Sequence, residues 1–138
     1  MAAFPEYFPH ADSLDRYIRT LADAMGLKDW DVRLSDDALD DGNAGGCRVP
    51  YGRKIAKIRL AEHDTIESLR RTIVHELLHA HLEPIDWQIH NIKPAVSELT
   101  FDVWRGGFVD ALEVACDAIA WAWAEHLPLP TADAQEAA

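Results

Sequence analysis

The polarity of the chain changes period several times, and each change marks an element. Over residues 13–26 the apolar positions Leu14, Tyr17, Ile18, Leu21, Ala22 and Met25 repeat at three- and four-residue steps, the stripe of an amphipathic helix. Ser13 is placed to cap its start and Gly26 its end. Trp30, Val32 and Leu34 then alternate with Asp31 and Arg33, which predicts a half-buried strand. Residues 36–46 are rich in Asp, Gly and Asn and read as a loop. Residues 47–51 and 54–60 predict two strands joined near Gly52, with Ala56, Ile58 and Leu60 on one face and Ile55, Lys57 and Arg59 on the other. Pro50 cannot donate to a ladder, so it marks an edge or a bulge.

A helix is predicted from Asp64, with Glu67 three residues on as in a capping box, to about Leu82, where Pro84 should end it. Residues 83–107 carry Pro84, Pro94, Gly106 and Gly107 and read as irregular. A last helix is expected from Val109 to His126, stopped by Pro128 and Pro130. The order helix, three strands, two helices predicts an α+β domain with a small, mostly antiparallel sheet packed on helices. The divisions are an N-terminal extension over 1–12, one domain over 13–128 and a flexible tail over 129–138.

Composition narrows the classes without choosing among them. The 138 residues suit one domain, and 49% hydrophobic with 27% charged residues is ordinary for a soluble protein. No apolar run reaches the roughly 20 residues of a membrane span, and residues 1–12 lack a signal-peptide pattern, so a cytoplasmic protein without membrane association is expected. A net charge of −11 argues against nucleic acid as a partner. Lys54, Lys57, Arg59, Arg70 and Arg71 read as solvated polar faces of a strand and a helix. Cys47 and Cys116 are too few for a disulfide framework and read as small buried residues.

The candidate chemistry lies in His75-Glu76-Leu77-Leu78-His79. Two imidazoles four residues apart share a helix face about one turn apart, so both can grip one ion. With His75 at the origin and roughly 100° per residue, His79 falls near 40° and Glu76 near 100°. Glu76 is thus offset from the pair and placed to hold a zinc-bound water, take its proton and pass it to a leaving amine. His81, near 240° by the same count, is assigned to packing or a surface hydrogen bond. Ile66, Leu69, Ile73, Val74, Leu77, Leu78 and Leu82 make most of this helix apolar, as in a central buried helix.

A catalytic zinc needs a third protein ligand. The position used by metzincins is Ile85, which removes that class. His90, Glu113 and His126 remain. Glu113 is favoured, because Glu113 and Asp117 share one face of the last helix and Ala120 and Ala124 continue that line. An acidic pair on a helix carrying Leu112, Val114, Ile119, Trp121 and Trp123 needs a buried partner. Asp117 would accept the free N–H of a ligand histidine.

The pair of motifs, His75-Glu76-Leu77-Leu78-His79 then Glu113-Val114-Ala115-Cys116-Asp117, resembles the gluzincin zinc peptidases in minimal form. The ending Ala124-Glu125-His126-Leu127-Pro128 is similar to that of the ImmA/IrrE-like family. Over residues 13–128 the resemblance implies a zincin-like domain with two zinc-bearing helices. It implies a zinc peptidase with His75, His79 and Glu113 as ligands, Glu76 as catalytic residue, and a strand near 55–60 lining the cleft and pairing with a polypeptide substrate. Two departures stand out. The oxyanion-stabilising tyrosine and histidine of larger gluzincins have no clear match, with Tyr51, His90 and His126 as stand-ins, and no helix-turn-helix or sensor domain is present. The alternatives are a SprT-like protease using His90, where the following Asn91 breaks the expected His-Gly, a non-catalytic zinc-stabilised binding module, and a metal-free helical interaction protein.

Overall fold

A computed structural model describes residues 4–39 and 42–132. Its elements are α1 (Ser13–Ala24), β1 (Asp31–Leu34), β2 (Gly45–Arg48), β3 (Ile55–Leu60), α2 (Ile66–His90), a 3-10 turn (Lys93–Ala95) and α3 (Glu98–Ala124). The described residues form an α+β arrangement, with three helices and a three-stranded sheet.

The sheet order is β1-β3-β2. β2 runs antiparallel to β3, with Cys47 opposite Ile58 and Gly45 opposite Leu60. β1 runs parallel to β3, with Val32 opposite Ala56. The sheet is therefore mixed, not mostly antiparallel as expected. The chain leaving β1 crosses to the far edge before it returns through the β2–β3 hairpin, so the two ends of the hairpin take opposite senses relative to β1. Gly52, at φ 72°, supplies the left-handed residue of that hairpin's turn. The second strand also sits two residues earlier than the predicted 47–51, taking in Gly45 and Gly46 from the expected loop.

The core lies between the sheet and α1 and α2. Ile18, Leu21, Ala56, Ile58, Ile73, Val74 and Leu77 have essentially no exposure. The predicted stripe of α1 supplies Tyr17, Ile18, Leu21 and Ala22. Phe4, Tyr7 and Phe8 of the N-terminal extension also pack against this core. The Tyr17 hydroxyl donates to the Pro128 carbonyl at 2.8 Å, and Arg70 donates to the Leu127 carbonyl at 2.8 Å, so the chain after α3 is tied to α1 and α2. Of the expected tail, residues 133–138 lie outside the described residues.

Both long helices outrun their predicted limits. α2 starts from Thr65, whose side chain accepts from the Ser68 amide, and not from Asp64. It passes through Pro84 to His90. Proline removes one helical donor and crowds the preceding turn, at a cost of about 3 kcal/mol. The turns beyond it offset this: Ile89 and Asp86 are buried, and Asp86 accepts from Arg105 of α3 at 3.2 Å. α3 begins at Glu98, not Val109, with the Ser97 side chain accepting from the Thr100 amide at 3.1 Å. Gly106 and Gly107 are carried inside it, each at a cost of about 1 kcal/mol relative to alanine. Phe101, 3% exposed, anchors the added turns.

α3 lies along α2 through a row of small residues, Cys116, Ala120 and Ala124, all buried. Its far side is open to solvent, with Val103 at 70% and Val114 at 72% exposure. Ile119, Glu113 and Asp117 are exposed as well. One face of α3 suffices to cover α2, and the other apolar residues have no layer above them. Among the described residues, no helix is long and apolar enough to cross a membrane.

If the small row sets the spacing of α2 and α3, Ala120→Leu should force them apart. A loss of about 1–3 kcal/mol in urea unfolding is expected, whereas the same change at the exposed Ala118 should cost less than about 0.5 kcal/mol.

Candidate metal centre

His75 and His79 project from one face of α2 toward α3. The His75 Nδ1 lies 2.9 Å from Asp117 Oδ1, an imidazole N–H donating to a carboxylate. That bond fixes the tautomer and leaves the His75 Nε2 lone pair pointing into the cleft. There it meets Glu113 Oε2 at 3.1 Å and His79 Nε2 at 3.2 Å, while His79 Nε2 lies 2.8 Å from Glu113 Oε1. Ligand atoms of His75, His79 and Glu113 all lie within 4.8 Å of one another.

This convergence suits a cation. A lone pair on His75 Nε2 aimed at a carboxylate is repulsive unless a proton or a metal stands between them. Bonds of about 2.0–2.1 Å in a tetrahedron place neighbouring ligand atoms about 3.3 Å apart, close to the 3.2 Å between the two imidazole nitrogens. The donor set, two imidazoles and a carboxylate, is one that zinc accepts in catalytic sites.

Glu76 lies beside the trio and is 6% exposed. Burial pushes its carboxyl up to about 7; the His75 charge pulls down and Glu113 pushes up further. Burial also holds His79 below the ordinary histidine range, against the pull of Glu113. Glu113 and Asp117 are the solvent side of the site, with side chains 52% and 73% exposed. Together these groups bound a cleft of about 220 Å³. Asn43, Ala44 and Gly45 form one wall, and Arg71, Thr72, His75 and Glu76 line it from α2.

Gly45 is where β2 meets α2. A Cβ there would stand 2.8 Å from Thr72 Cγ2, 3.1 Å from the Arg59 carbonyl oxygen and 3.2 Å from Glu76 Cγ. The edge strand thus approaches the carboxylate as closely as a residue without a side chain permits. Thr72 is held in turn, its hydroxyl 2.9 Å from His63 Nε2, while His63 Nδ1 lies 2.9 Å from the Ala61 carbonyl. Burial keeps His63 below its usual range, favouring the neutral ring.

The remaining sequence candidates lie elsewhere. His90 is eleven residues past His79, about 16 Å along the helix. It sits 3.4 Å from Asp86 and packs at a tilt against Phe101. His126 follows α3 at the surface. The exposed Tyr51 hydroxyl meets Asn91, and its ring packs by Trp87. His81 contacts the Met25 carbonyl at 2.6 Å, away from the site. Cys116 is buried and its thiol is pushed up to about 11, while Cys47 is partly buried and pushed up as well; both are free. The expected role of residues 55–60 as cleft wall is corrected: β3 is the central strand, bonded on both edges, and β2 stands at the cleft in its place. Sequence reasoning also passed over Gly45, Thr72 and Arg71. Counting one turn back from His75 and Glu76 reaches Arg71 and Thr72, but a glycine in a Gly-rich loop gives no such signal.

The chain matches no known protein family, no curated protein and no solved structure.

The buried carboxyl gives a metal-independent check. A folded value raised from 4.5 to about 7 means that the folded protein holds a proton which the unfolded chain releases. Glu76 therefore subtracts stability as pH rises through that window. In the metal-free protein, Glu76→Gln should stabilise by up to about 3 kcal/mol at pH 8 and by almost nothing at pH 4. Urea unfolding at the two pH values reads this, and an equal effect at both would contradict it.

Proposed function

We propose that this chain is a zinc-dependent peptidase, with a zincin-like site in which His75, His79 and Glu113 hold the metal and Glu76 moves the proton. The observation that carries the reading is the convergence of ligand atoms of His75, His79 and Glu113, with the two imidazole nitrogens 3.2 Å apart and a buried carboxylate alongside. The resemblance of the two helical motifs to minimal gluzincins of the ImmA/IrrE-like kind agrees with it.

Zinc, when bound, supplies positive charge that acidifies water towards a pKa of about 7 and polarises a carbonyl. The protein's part is positioning and proton transfer. Asp117 accepts the Nδ1 proton of His75, keeps that ring in one orientation and makes its Nε2 a better donor of electrons. Glu76 sits in a water-poor position where its proton affinity is already raised. Beside a dication its carboxylate form is favoured, so it can take a proton from the attacking water. As the C–N bond breaks, Glu76 returns that proton to the amide nitrogen, which leaves as an amine. The acid–base role matches the buried Glu76 and does not suit the open Glu113.

The substrate would lie against β2. Among the described residues this strand pairs only with β3, so its other edge offers free backbone donors and acceptors to an extended polypeptide. Gly45 brings that edge to Glu76 without an intervening side chain.

Purified protein should hold about one zinc per chain by elemental analysis. His79→Ala should lose it. Glu76→Gln should keep it and lower peptide cleavage by about 10²–10⁴-fold. Undiminished cleavage by Glu76→Gln would remove Glu76 from the mechanism, and a protein purified without stoichiometric zinc, and unable to take it up, would remove the metal.

A further inference from the structure

We infer that Arg71 sets the specificity of this cleft by binding a carboxylate of the peptide, its free C-terminus or an Asp or Glu side chain, one or two residues from the bond that is cut. The inference rests on the peptidase reading and deepens it.

α2 and α3 face each other in three rungs, each one turn from the next. His79 meets Glu113 at 2.8 Å and His75 meets Asp117 at 2.9 Å. On the third rung the Arg71 guanidinium carbon lies 3.5 Å from the centre of the Trp121 ring. The first two rungs join an imidazole to a carboxylate. The third joins a cation to an aromatic face, and no carboxylate of the described residues lies within ion-pairing distance of it. Among the described residues that line the cleft, Arg71 is the one lysine or arginine.

Stacking is a particular way to hold an arginine. It occupies the flat face of the guanidinium and leaves the N–H groups at its edge unspent. Those donors form the planar fork that suits a carboxylate through two parallel hydrogen bonds. Arg59 and Arg70 differ, each donating to a backbone carbonyl, Ala38 in one case and Leu127 in the other. Trp121, though 57% exposed, has a clear use as the plate beneath Arg71.

The position also restricts where a carboxylate can go. Glu76, Glu113 and Asp117 line the rest of the cleft and repel an anion. Only the Arg71 end is cationic apart from the metal position itself. That end lies one turn from His75, about 5.4 Å along α2. An extended chain advances about 3.3–3.6 Å per residue, so the carboxylate falls one or two residues from a carbonyl held at the metal position.

The test uses zinc-loaded protein and peptide hydroxamates, which report binding without turnover. Each is made with a free or amidated C-terminus, and with Asp or Asn at either of the two residues next to the hydroxamate. A carboxylate should tighten binding about tenfold over its neutral counterpart. Arg71→Gln should abolish that preference and leave the neutral compounds within about twofold of wild type. Arg71→Lys, which keeps the charge and loses the fork, should retain only part of it. Preference within the acid–amide pair assigns the C-terminus, and preference within the Asp–Asn pair assigns a side chain. Equal affinity for charged and neutral compounds, or a preference that survives in Arg71→Gln, overturns the inference and leaves the metal site standing. Failure of every hydroxamate to bind the zinc-loaded protein overturns the peptidase reading, and the role of Arg71 with it.

Discussion

A carboxylate on one helix reaches an imidazole on its neighbour only if the two helices lie close along their whole contact. Interaxial distances of about 8–10 Å depend on what stands between the axes. Here that space is given to Cys116, Ala120 and Ala124, all buried. Larger side chains in that row would hold Glu113 and Asp117 away from His79 and His75. The chemical capacity of the cleft therefore depends on three side chains that carry none of it. The same contact explains why one site can be half buried and half open. α2 is enclosed by the sheet, α1 and α3, so Glu76 and His79 are desolvated, whereas α3 is covered on one side only.

That division of environment separates two carboxylates by role. Glu76 is buried and holds its proton more tightly than an ordinary acid. Glu113 is half exposed and faces two imidazoles. In the proposed mechanism the first would pass protons and the second would face the metal. A pair of identical functional groups is thus differentiated by burial and neighbours.

Much of this was readable from the sequence wherever a repeat is local. The stripe of α1, the one-turn spacing of His75 and His79, the offset of Glu76 and the wrong side assigned to His81 all follow from helical geometry. The line from Glu113 to Ala124 follows from the same count. Legibility ended where tertiary contacts outweigh local preference. Pro84, Gly106 and Gly107 signal breaks, yet Asp86 with Arg105 and the buried Phe101 carry α2 and α3 across them. The parallel pairing of β1 with β3 depends on a crossing that no residue of β1 announces. Gly45 and Gly46 read as loop because the partner that makes them strand, residues 59–60, is remote in sequence. The outward-facing Val114 and Trp121 look like core to any pattern method, because a sequence does not say how many layers will cover a helix.

The three rungs repeat every four residues, and so does the small row between the helices. A pattern of that kind is nearly self-similar: sliding α3 by one turn would put Asp117 opposite Arg71 and Glu113 opposite His75, with small residues still at the contact. Neither charge nor size strongly rejects that misalignment. What breaks the degeneracy lies outside the rungs: Arg105 donates to Asp86 of α2, and beyond the end of α3 Arg70 donates to the Leu127 carbonyl and Tyr17 to the Pro128 carbonyl. These three bonds act as the zero mark of a ruler. They belong to no part of the chemistry, yet they choose which of two nearly equivalent alignments the helices adopt.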